Sequence, residues 1–66
     1  MKTKERKNIA KKIAEAEYII HTSDDLEARS RAEQEIMKLS GRVENWEDVA
    51  AIDDLVQDYL QNLLDK

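Results

Sequence analysis

Apolar residues recur along this chain at helical spacing, in three stretches separated by polar breaks. Ile9, Ile13, Ala16 and Ile20 follow a 4-3-4 pattern, which sets them on one face of a helix. A first helix is therefore expected over residues 3–21, with residues 1–4 frayed. Thr22-Ser23-Asp24-Asp25 interrupts the pattern. Thr22 is expected to open a second helix over about residues 23–40, accepting from the backbone N–H of Asp25, which answers as the acidic member of a capping box. Ala28, Ala32, Ile36 and Leu39 form its stripe, and Gly41, the only glycine, falls where a left-handed C-terminal cap is expected. Asn45 caps a third helix over about residues 45–64, with Glu47 and Asp48 at the positive end of its dipole and residues 65–66 frayed. Val49, Ile52, Val56, Tyr59, Leu60 and Leu63 make its stripe.

A rival pattern runs straight through Gly41, because Ile36, Leu39, Val43, Trp46 and Ala50 also keep helical spacing. At 100° per residue, however, the apolar centre shifts by roughly 140° between the second and third segments. One straight helix would then bury opposite faces at its two ends, so a turn is expected at about residues 41–45.

The three stripes are unequal. The first is a narrow seam, and the second is thin and rich in alanine. The third spreads over roughly half the wheel, from Leu55 round to Trp46 and Leu64. Tyr18, Ile19, Leu26 and Met37 lie off the main seams. A small monomer has few neighbours to cover so much apolar surface, and Ala28 and Ala32 would admit a close partner helix. The expected fold is a single all-α domain over residues 1–66, a small three-helix bundle completed by homodimerisation. Trp46 and Tyr59 are each expected in a core more readily than as interface anchors.

Composition agrees with helix throughout. The 66 residues include no proline and one glycine, and 39% are charged. This length sits near the limit at which a lone hydrophobic core suffices. The chain has no cysteine, so disulfides and thiolate metal sites are excluded; a cytoplasmic location fits. No apolar run reaches the length of a bilayer span, and Lys11, Lys12, Glu15 and Glu17 interrupt any leader-like run.

Charge is strongly polarised. Lys2, Lys4, Arg6, Lys7, Lys11 and Lys12 share the first twelve residues with one acid, Glu5, whereas residues 44–66 hold seven acids and one base. The basic end raises nucleic-acid binding through Lys4, Arg6, Lys7, Lys11 and Lys12. Against it, no aromatic residue is interleaved for base stacking, and the net charge is −4. A helix-turn-helix fails as well, since its reading helix would carry Glu44, Glu47, Asp48, Asp53 and Asp54. The split is better explained as an orientation device for helix association.

Catalytic chemistry has little to build on. His21 is the only histidine and suits the negative end of the first helix. Asp24-Asp25 and Asp53-Asp54 lack the spaced ligands and central glycine of a calcium loop. One glycine cannot cradle phosphates. No enzyme activity, metal, cofactor or small-molecule substrate is expected. The expected function is a protein-interaction module or small regulator, acting on itself or a larger partner through Trp46, Val49, Ile52, Val56, Tyr59, Leu60 and Leu63; the alternative is a dimeric nucleic-acid-binding regulator. In length, acidity and helical content alone, the chain resembles small plasmid- or phage-encoded regulators that act as helical dimers, with no motif by which residues carry across.

Overall fold

A computed structural model describes residues 1–65 as three helices, α1 (Thr3–Thr22), α2 (Leu26–Ser40) and α3 (Trp46–Leu64). The expected all-α three-helix bundle is therefore met, and α2 and α3 are separate helices. The expected fraying at Lys66 lies outside the described residues.

The local signals that end the helices differ from those expected. Thr22 closes α1 instead of opening α2: its hydroxyl donates to the Tyr18 carbonyl at 2.7 Å, the back-bond a threonine makes inside a last turn. The cap of α2 is Asp25, whose carboxylate accepts from the Glu27 N–H at 3.0 Å, and the Ser23 hydroxyl accepts from the Asp25 N–H. An aspartate competes well for this position because its charge also meets the helix dipole. Asn45 caps α3 as expected, accepting from the Glu47 N–H at 2.9 Å.

Gly41 is not a left-handed cap. Its φ of −66° and ψ of −17° are ordinary right-handed values, and the turn tightens through Arg42 N–H to Leu39 O and Val43 N–H to Ser40 O. A β-carbon there would sit 3.4 Å and 3.5 Å from the Met37 and Lys38 carbonyl oxygens, an ordinary contact. Gly41→Ala therefore restricts the unfolded chain without straining the folded one, and is expected to raise stability by about 0.4–1 kcal/mol, measured as a rise in the urea midpoint.

α1 is the centre of the molecule. Both α2 and α3 pack against it, while α2 and α3 barely touch each other. The body is accordingly flat, 34 × 25 × 15 Å. Serving two neighbours requires a wide apolar face on α1, and Ala10, Ile13, Ala14 and Ala16 are all buried there. Alanines let both neighbouring backbones come close without large side chains between them. The core adds Leu39 from α2 and Ile52, Val56 and Leu60 from α3. Ala32 is also buried, and since α2 has α1 as its main neighbour, the close approach it permits lies within the chain.

Candidate functional site: an apolar groove and a lysine face

Because α2 and α3 diverge from a shared helix, a groove opens between them. Ile13 of α1 forms its floor, Ile36 and Val43 line the α2 side, and Val49, Ile52 and Val56 line the α3 side. It encloses about 520 Å³, counting space open to solvent. Glu17, Ser40 and Asp53 supply its polar margin. Val49 is 51% exposed despite its place in the stripe, because nothing among the described residues closes over it.

The expected contact residues separate into three groups. Ile52, Val56 and Leu60 are buried in the core, where they hold α3 to α1. Tyr59 and Leu63 are half-buried against that core. Trp46 is 75% exposed, and Val49 accompanies it. The core position expected for Trp46 is thus corrected: it opens α3 and lies about 80° round the wheel from the buried stripe of Ile52, Val56 and Leu60, so its ring is left outside the core. Of the residues off the main seams, Tyr18 packs on the core, while Ile19, Leu26 and Met37 are exposed.

The basic residues divide as well. Lys4, Lys7 and Lys11 are exposed and line one shallow depression with Thr3, Asn8 and Tyr59. The linear sequence offers no aromatic residue among these lysines; the packing of α3 on α1 brings Tyr59 beside them. Lys12 is exposed on the other flank of α1, facing Leu39 and Arg42 across a separate depression.

Arg6 is engaged within the chain. Its Nε and Nη2 donate to Asp48 Oδ1 at 2.8 Å and 2.6 Å, and the Met1 ammonium lies 3.7 Å from Oδ2. Asp48 is the one charged residue buried among those described. This pair joins the first turns of α1 and α3, so a share of the charge polarity is used inside the monomer. The Arg6 hydrogen bond, aided by the nearby ammonium, holds the Asp48 carboxyl below the usual carboxylate range despite the opposing effect of burial. A carboxylate with a lowered folded-state pKa stabilises above its unfolded value, about 3.9, and that stability is lost as pH falls through the folded value. Wild type is therefore expected to lose thermal stability more steeply than Asp48→Asn below about pH 4, and the two melting curves should converge at the acid end. Parallel acid limbs in circular dichroism melts would contradict the pairing.

His21 is exposed at the end of α1. Among the described residues, no group of three or more acidic or histidine side chains is placed to hold a metal, and no helix is long and apolar enough to cross a membrane. Comparison with protein-family models, curated proteins and solved structures finds no match to this chain.

Proposed function

We propose that this protein is a small contact module of the cytoplasm, which regulates or links other proteins by receiving a helix in the groove between α2 and α3. One observation carries the reading: two helices pack on a third while barely touching each other, and leave Val49 exposed on the wall of an apolar groove, with Trp46 exposed one turn before it on α3. A fourth helix is what a bundle of this geometry lacks, and helix-in-groove recognition needs apolar anchors at helical spacing. The occupant comes from a second copy, giving the homodimer expected from the sequence, or from a larger partner. Val49→Asp tests the groove, because an acid early in α3 is compatible with the helix dipole while a charge on the groove wall is not compatible with an apolar guest. Wild-type bait is expected to retain a partner or a second copy that Val49→Asp bait loses, with unchanged helicity; equal retention by both rules the groove out.

A second reading is favoured by Tyr59 alone. Its ring beside Lys4, Lys7 and Lys11 supplies the stacking surface that single-stranded nucleic acid uses together with phosphate contacts. Arg6, committed to Asp48, contributes little to it, and Lys12 lies on the other flank. Titration with labelled RNA and duplex DNA at two salt concentrations decides: absence of binding at low salt removes this reading.

A further inference from the structure

The groove is apolar on its floor and acidic at its margin. Glu17 of α1 and Asp53 of α3 are the charged side chains lining it, and among the described residues neither has an ion-pair partner. Asp53 is seven residues beyond Trp46 and four beyond Val49, so all three share one side of α3. No basic side chain occurs anywhere in α3.

We infer that the groove's occupant is a basic amphipathic helix of another protein, an aliphatic stripe seated on Val49, Ile52 and Ile36 with lysine or arginine flanks meeting Glu17 and Asp53. The inference rests on the groove being a docking site and names the chemistry of what docks. Charge complementarity selects the partner: apolar burial supplies the attraction, and the margin rejects helices flanked by acids. A second copy fits poorly. On α2 the exposed apolar residues, Leu26 and Met37, stand eleven residues apart with Glu33 between them on the same side, too sparse for a stripe; on α3 they are Trp46, Val49 and Leu64, flanked by Glu47, Asp53, Asp54 and Asp58. Seated in a neighbour's groove, α3 would set acid against acid. The basic residues Lys4, Lys7 and Lys11 lie on a face of α1 with no exposed aliphatic side chain, so that face has nothing to bury.

Trp46, the only tryptophan, reports occupancy through its fluorescence. Two synthetic peptides of one amphipathic helical pattern serve as probes, each with leucine on the apolar face and with either lysine or glutamate on the flanks. The lysine peptide is expected to shift Trp46 emission to the blue, saturably, and to bind about tenfold more tightly than the glutamate peptide, the scale of two favourable pairs replaced by unfavourable ones. Glu17→Lys with Asp53→Lys is expected to reverse the preference. Asp54→Lys with Asp58→Lys, equal in net charge but on the exposed outer side of α3, should preserve it. Asp53→Lys alone, at an exposed position, keeps the test valid if the half-buried Glu17 does not tolerate lysine, and should at least erase the preference. Binding of neither peptide would sink the docking reading itself. Binding of both alike, or the same response from both double variants, would leave docking standing and overturn the basic partner. Sedimentation of wild type as a dimer that Val49→Asp dissociates would make a second copy the occupant and overturn it too.

Discussion

Replacing Leu39 with alanine is expected to lower the thermal midpoint by about 10–30 °C, from a loss of roughly 2–5 kcal/mol. Leu39 is 1% exposed and is the largest fully buried side chain. It is also the only large residue that α2 buries, the other being Ala32. The core of a domain this small rarely supplies more than about 3–5 kcal/mol, so the substitution removes most of the margin. Met37→Ala, two residues away but 74% exposed, is expected to change stability by no more than about 0.5 kcal/mol. Paired circular dichroism melts of the two variants check the contrast; similar losses would mean that Leu39 does not anchor α2.

Ala10→Leu should be nearly as damaging, for the opposite reason. Ala10 is fully buried on α1 and lines neither the groove nor the depressions beside Tyr59 and Leu39, so three added carbons crowd a filled site. Overpacking of this kind costs about 1–3 kcal/mol. Ala14 is equally buried but borders an open depression with Tyr59 and Leu63, so Ala14→Leu has somewhere to place its methyls. The expected order of midpoints is wild type, then Ala14→Leu, then Ala10→Leu. A reversed order would contradict the tight packing around Ala10.

These two sites mark where sequence periodicity reaches its limit. The pattern Ile9, Ile13, Ala16, Ile20 locates one side of α1, where Ile13 and Ala16 are buried and Ile9 and Ile20 half-buried. It passes over Ala10 and Ala14, the most buried residues of the helix, because alanine is as common on a solvated helix as in a close crossing. That α1 serves two neighbours is a tertiary fact with no local signature. The stripe of α3 is legible because branched and aromatic residues define it, and three of its members, Ile52, Val56 and Leu60, form the core. Which members remain exposed depends on α2 and α3 failing to meet, and no spacing within α3 encodes that.

Asp48 shows the same division. Its place three residues after Asn45 marks a helix start, and that start is correct. Its partner, Arg6, lies 42 residues away, so the buried pair emerges only when α1 and α3 are packed. The expected caps at Thr22 and Gly41 failed for a more local reason. Thr22, Ser23, Asp24 and Asp25 can all cap a helix, and the choice among them is settled by small differences in how the chain leaves α1. Gly41 matched the composition of a left-handed cap while the backbone needed no positive φ.

A single helix shared by two partners that ignore each other also sets the order in which the protein opens. α2 can detach while α1 and α3 remain paired, and α3 can detach while α1 and α2 remain paired, but α1 cannot open without dissolving both interfaces. Amide protons of α1 around Ala10, Ile13 and Ala14 should therefore exchange with solvent only through global unfolding, whereas those of α2 and α3 escape earlier through separate partial openings. The slowest-exchanging amides would lie in the helix that begins the chain, and its two companions would behave as independently hinged leaves.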